Sequence, residues 1–167
     1  MDRLWAPWRL KYILEDIALG NNKACIFCFY PQNVHEKDRE NLVLFRSGLS
    51  FIIMNRYPYN TGHIMVAPYR HVACFQELTK QELEDISVLV KAGINAVKET
   101  LDPGGFNIGI NQGKIAGAGY EEHIHVHIVP RWNGDTNFMP VISDTKVLPE
   151  SLLDTYDKIK ERLSARG

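Results

Sequence analysis

The sequence predicts an α+β domain built on a mostly antiparallel, five-stranded sheet, and three observations carry that expectation. Short apolar, β-prone runs come in consecutive groups, three in the first half of the chain and two in the second. One long helical pattern separates the groups and another closes the chain, an order that favours antiparallel pairing over alternating βαβ units. With 167 residues and 45% hydrophobic content, the chain is sized for one domain around one core, residues 1–167.

The elements follow in order. Residues 4–20 (LWAPWRLKYILEDIALG) read as an irregular arm leading into a short amphipathic helix that Gly20 ends. Runs at 42–46, 51–56 and 63–68, separated by Pro58, Asn60 and Gly62, read as a meander of three strands. Thr79 and Glu82 have capping-box spacing. Leu83, Ile86, Leu89, Val90 and Ile94 then recur at helical intervals, so the main helix is expected over 80–100 and is stopped by Asp102-Pro103-Gly104-Gly105. Strands are expected near 106–111 and 123–130, joined by the loop GKIAGAG at 113–119. A last helix near 149–163 carries Leu152, Leu153, Tyr156, Ile159 and Leu163 on one side. No internal repeat or low-complexity segment interrupts this series.

Composition excludes some functions. Nineteen basic against twenty acidic residues give no cationic footprint of the kind a phosphate-backbone binder shows, so nucleic acid is not an expected partner. The first residues carry charges and prolines where a signal peptide has an apolar stretch. No run approaches the ~20 apolar residues of a membrane span, so a cytoplasmic protein without a membrane partner is expected. Three cysteines in a reducing compartment argue against a structural disulfide, and Cys74 reads as a small core residue.

The stretch His123-Ile124-His125-Val126-His127 concentrates half of the six histidines at alternate positions. In a strand those three share one face, successive rings about 6.6 Å apart, while Ile124, Val126 and Ile128 share the face toward a core. Three imidazoles in apolar packing would be costly, so the histidine face lines a polar cleft. Two chemistries suit it. His-x-His can chelate a hydrolytic zinc. Alternatively, a neutral imidazole can attack phosphorus, provided that its far nitrogen is hydrogen-bonded. The carboxylates nearest the motif, Glu121 and Glu122, precede the strand and none lies within it. The small residues of the loop 113–119 permit backbone amides to approach an anion, which favours phosphate. Cys25-x-x-Cys28 is open to three readings, redox pair, structural element or half of a zinc site, and no βαβ unit supports the first.

The motif His123-Ile124-His125-Val126-His127-Ile128-Val129 resembles the signature of the histidine triad (HIT) family, three histidines alternating with hydrophobic residues. Gly62-His63-Ile64-Met65-Val66-Ala67-Pro68 matches a second element of that family, and Asn55 sits eight positions before His63, where the fragile histidine triad branch has its ribose-binding asparagine. The resemblance covers about residues 22–135, and the segment 130–138 looks like the bacterial diadenosine tetraphosphate phosphorylase and dinucleoside polyphosphate hydrolase members. It implies a HIT-like fold, a homodimer, and cleavage of adenine dinucleoside polyphosphates at the α-phosphate through a covalent nucleotidyl-histidine on His125. His127 would hold the phosphate oxygens and His63 would support the triad. Asn55 and Asn111 would hold ribose and phosphate, with Gly117, Ala118 and Gly119 or, equally, Gln112 at the phosphate-contacting position. The family's Gly-Gln segment is replaced here by Ala116-Gly117-Ala118-Gly119-Tyr120.

The resemblance also implies a structural zinc on Cys25, Cys28, His71 and His123, because bacterial relatives complete such a site with the histidine of a Pro-x-x-His pattern, here Pro68-Tyr69-Arg70-His71, and the first triad histidine. A divalent ion accompanying the substrate phosphates is a further expectation, and His35 falls outside any site. The alternatives are a zinc hydrolase with metal on the triad, a purine nucleoside phosphoramidate hydrolase, and a non-catalytic module that binds adenine mononucleotides.

Overall fold

A computed structural model describes residues 25–32, 35–135 and 150–165. Two short helices, α1 (Ile26–Gln32) and α2 (Asp38–Asn41), lead into strands β1 (Val43–Arg46), β2 (Ser50–Met54) and β3 (Ile64–Pro68). Helix α3 (Lys80–Leu101), strands β4 (Gly105–Ile110) and β5 (Val126–Arg131) and helix α4 (Leu152–Ser164) complete the order. The five strands form one antiparallel sheet in the order β1-β2-β3-β5-β4. The expected α+β class and the strand content are therefore both present.

Helix α3 begins where its capping box requires. Thr79 accepts the Glu82 backbone N–H, and the Glu82 carboxylate accepts the Thr79 N–H. It ends on Asp102, in the left-handed region at φ 43°, immediately before Pro103. The helix packs across β2, β3 and β5, and α4 packs against α3 and β1. Ile52, Ile64 and Ile128 meet α3 at Gly93, where an added Cβ would stand 2.8 Å from Ile64 Cδ1. Gly93 thus lets the helix approach the strand that begins right after His63. Gly62, at φ 77°, turns the chain into that histidine, and an added Cβ there would lie 2.5 Å from Leu101 Cδ1. Because α3 and α4 occupy one sheet face, β3 and β5 turn His63, Met65 and His127 to the other.

Several expectations change. The 51–56 strand ends at Met54, because Asn55 opens the turn toward His63. The ladder of the histidine strand starts at Val126 rather than at residue 123, and Ile124 instead donates its N–H to the Val72 carbonyl at 2.7 Å. His123, Ile124 and His125 are all buried there, so the two-faced picture of that segment fails. The physical reason is α1, which covers the histidine side with Phe27. Leu153 is exposed while Tyr156, Ile159 and Leu163 are buried, and Cys74 is half-buried rather than core. The arm and helix expected over 4–20, and the residues after Asp135 in the segment 130–138, lie outside the described residues.

Candidate active site

His63 and His127 face each other across β3 and the antiparallel β5, with His63 Nε2 3.0 Å from His127 Nδ1. The surroundings decide where the protons sit. Tyr59 donates its backbone N–H to His63 Nδ1 at 3.1 Å, and the Asn55 amide nitrogen stands 3.3 Å from the same atom. Asn55 is oriented by its own oxygen, which accepts the Tyr57 N–H at 2.9 Å. A nitrogen that receives donors carries no proton, so His63 is protonated at Nε2 and donates to His127 Nδ1. His127 therefore keeps its own proton on Nε2. The Tyr59 ring stacks on His63 at 4.7 Å between centroids and reaches His127 at 5.9 Å, so one aromatic face backs both imidazoles.

His125 has the opposite tautomer. Its Nδ1 lies 2.8 Å from the carbonyl oxygen of His123, and a carbonyl only accepts, so the proton is on Nδ1 and Nε2 keeps its lone pair. Burial pushes the His125 pKa below the ordinary histidine value, which favours the neutral ring. One face of that ring stacks on Phe27, centroids 4.5 Å apart at 28°, and His127 stands edge-on to it at 4.7 Å. The two histidines thus present complementary groups, a lone pair on one and an N–H donor on the other. Beside them, β4 pairs Gly109 with His127, and a Cβ at Gly109 would meet nothing within 4 Å, so this flank is open.

The cysteine pair lies at the entry to α1. Cys25, Cys28, His71 and His123 bring one ligand atom each to within 4.8 Å of one another. His123 Nε2–H is committed to the Pro68 carbonyl at 2.9 Å, which leaves Nδ1 as the lone pair. That Nδ1 is 3.4 Å from Cys25 Sγ and 3.5 Å from Cys28 Sγ, and His71 Nδ1 is 3.2 Å from Cys28 Sγ. Tetrahedral zinc with bonds of about 2.3 Å to sulfur and 2.0 Å to nitrogen separates S and N by roughly 3.5 Å, so the donor set fits that ion. Charge says the same. Burial and the neighbouring Cys25 push the Cys28 thiol up to about 11, and burial pushes His123 down to about 4. A dication is the partner that reverses the first and uses the second.

Around this pair of centres, the other expected residues are distributed unevenly. By strand alternation Asn107 and Gly109 belong to the histidine side of β4, and Asn111 follows directly after the strand's last residue, Ile110. Gln112 is turned to the segment 75–76, accepting the Phe75 N–H at 2.8 Å and donating to the Gln76 amide oxygen at 3.3 Å. The amides of Ala116, Gly117 and Ala118 close the loop's own turn on the carbonyls of Gly113 and Lys114. His35 is exposed and lies 3.6 Å from Asp38. Three contributors escaped the sequence reading. Phe27 and Tyr59 supply ring faces. Asn60 donates to the Pro130 carbonyl and to Asp135, tying the turn before His63 to the end of β5. Only Phe27 carried a signal, its place between the two cysteines.

The HIT domain family model matches residues 36–134, more than half of the chain. The chain is 41% identical over 160 residues to an AP-4-A phosphorylase of Mycobacterium tuberculosis, covering 93% of this chain and 80% of that protein. It is 36% identical over 93 residues to a bis(5'-adenosyl)-triphosphatase of Dictyostelium discoideum, covering 56% and 62%. Among solved structures, a Zn-bound histidine triad family protein from Mycobacterium smegmatis matches 86% of this chain and 95% of its own, with a TM-score of 0.65 at 21% identity.

Proposed function

This chain belongs to the HIT domain family, and we propose that it cleaves dinucleoside polyphosphates, diadenosine tetraphosphate foremost, by nucleotidyl transfer through His125. The observation that carries the reading is the Nδ1–H bond of His125 to the His123 carbonyl, which leaves Nε2 as a nucleophile. In the first step Nε2 forms a bond to the α-phosphorus and the bond from phosphorus to the bridging oxygen breaks. The His127 Nε2–H stabilises charge on the departing oxygen and the phosphate oxygens. In the second step inorganic phosphate attacks the nucleotidyl-histidine, and His125 is regained. Phosphate is the favoured acceptor because the M. tuberculosis relative is named a phosphorylase, while the triphosphatase name of the D. discoideum relative supports water as a second acceptor.

The nucleotide is assigned to the open flank beside Gly109. Asn55 and Asn111 are proposed for ribose and phosphate, with Gln112 or the Gly117, Ala118 and Gly119 stretch near the polyphosphate. The Asn55 amide also serves His63 and Tyr57. A divalent ion entering with the polyphosphate belongs to the substrate in this reading. Zinc on Cys25, Cys28, His71 and His123 is proposed as structural, since four protein ligands leave no vacant position for a reacting group. When bound it supplies rigidity, on the order of 10 kcal/mol in small metal domains.

No helix of the described residues is long and apolar enough to cross a membrane, and a cytoplasmic homodimer is proposed without nucleic-acid or membrane partners. The outer edge of β4, unpaired among the described residues and with Ile108 half exposed, supports the dimer. Chromatography of products from diadenosine tetraphosphate tests the activity. Adenosine diphosphate plus adenosine triphosphate appearing only with phosphate supports phosphorolysis. Adenosine monophosphate plus adenosine triphosphate assigns hydrolysis, and no cleavage under either condition overturns the proposal.

A further inference from the structure

An imidazole that attacks phosphorus must be held in one plane, because its lone pair is directional and the ring torsion is intrinsically soft. The hydrogen bond from His125 Nδ1 to the His123 carbonyl restrains one edge of the ring but not its plane. A second restraint comes from the segment between the two cysteines. Phe27 is 1% exposed and lies face to face with His125, centroids 4.5 Å apart at 28°. Its own ring is braced edge-on by Tyr120 at 5.8 Å and is met at a 41° tilt by His123 at 5.2 Å. The backbone that carries it is closed by two hydrogen bonds to the Cys25 carbonyl, from Cys28 N–H at 3.0 Å and from Phe29 N–H at 2.9 Å. These bonds fix where Phe27 leaves the Cys25–Cys28 turn, and its burial and ring contacts fix the side chain.

The geometry points to Phe27 as a positioning residue that sets the plane of the His125 ring and ties the nucleophile to the cysteine turn. This rests on the reading of His125 as nucleophile. It gives the Cys25–Cys28 element a second duty besides the proposed metal binding: the two cysteines at its ends offer ligands, while the residue between them holds the reacting ring. A core phenylalanine with no such duty would affect stability only, and the two cases respond differently to substitution. Tyrosine keeps a flat ring but buries a hydroxyl, whereas leucine stays apolar but has no flat face. Stability should therefore rank Leu above or equal to Tyr, and positioning should rank Tyr above Leu.

The test is pre-steady-state formation of nucleotidyl-enzyme from diadenosine tetraphosphate by full-length wild type, Phe27→Tyr and Phe27→Leu, each with its zinc content and Tm. Phe27→Leu is expected to slow that step by on the order of 10² with nucleotide affinity within about threefold. Phe27→Tyr is expected to stay within about threefold of wild type even where its Tm is the lower of the two. Zinc content should match wild type in both. If Phe27→Leu does not fold, Phe27→Met, equally apolar and without a ring, replaces it with the same expected loss. A leucine or methionine variant as fast as wild type, or rates that simply follow Tm, would overturn the inference. Failure of wild type itself to form any nucleotidyl-enzyme would instead overturn the function on which it rests.

Discussion

The Nε2 of His63 donates to the Nδ1 of His127 across 3.0 Å, and the direction of that bond is set from behind, by the Tyr59 N–H and the Asn55 amide on His63 Nδ1. One backbone amide and one side-chain amide, both behind His63, thus aim the His127 proton outward. Two of the chain's six histidines have no freedom of tautomer as a result.

Replacing Asn55 with Asp tests this directly. A carboxylate only accepts, so it draws a proton to His63 Nδ1 and removes the donor that His127 relies upon. Nitrogen-15 shifts of the His63 ring should move to the Nδ1-protonated pattern, and kcat should fall by on the order of 10². Unchanged shifts with an unchanged kcat would show that Asn55 does not set the pair.

Cys25→Ser combined with Cys28→Ser should abolish zinc retention and lower Tm by more than about 5 °C, the loss expected when a small domain gives up a few kcal/mol. Brief chelation of wild type should remove stability before it removes turnover. Metal analysis that finds no zinc in wild type purified without chelator would end the assignment of the four ligands.

Helix α3 offers a pH prediction whose sign is fixed. Glu82 is held down to about 2 by the Arg70 guanidinium, with further help from Thr79. A carboxylate lowered in the folded state stabilises fully above its unfolded value, about 4.3, and loses that contribution as pH falls through 2. Glu82→Gln should therefore lower Tm at pH 7, and its gap from wild type should narrow as pH falls from 4.5 toward 2. A gap independent of pH would mean that the Arg70 pair contributes nothing.

Ile108→Asp on β4 should convert a dimer to a monomer in sedimentation velocity, because the edge would carry a buried charge if it paired. A wild type that is monomeric at micromolar concentration would contradict the proposed dimer.

Much of this was legible in the sequence, for reasons that are local. The Thr79–Glu82 cap, the period of Ile86 and Leu89, and the strand that runs on from Val126 are all written within a few positions. Cys25 and Cys28 could be grouped with His71 and His123 because the motifs that carry them match family patterns. Sequence separation hid the rest. Phe27 meets His125 from nearly a hundred residues away, and Asn60 reaches Asp135 across the sheet. Helix α1 is seven residues with Pro31 inside it, so no periodic pattern could announce the element that buries His123 and His125. Without it the histidine segment reads as a plain two-faced strand.

The most direct measurement is mass spectrometry of enzyme quenched within its first turnover of diadenosine tetraphosphate, with the modified peptide sequenced. An adenylyl group on His125, transferred to inorganic phosphate as adenosine diphosphate when phosphate is added, and absent from a His125→Ala variant whose turnover is down by at least ~10³, is the predicted result. Normal turnover without any protein-bound nucleotide, or the adduct on another residue, would contradict the account.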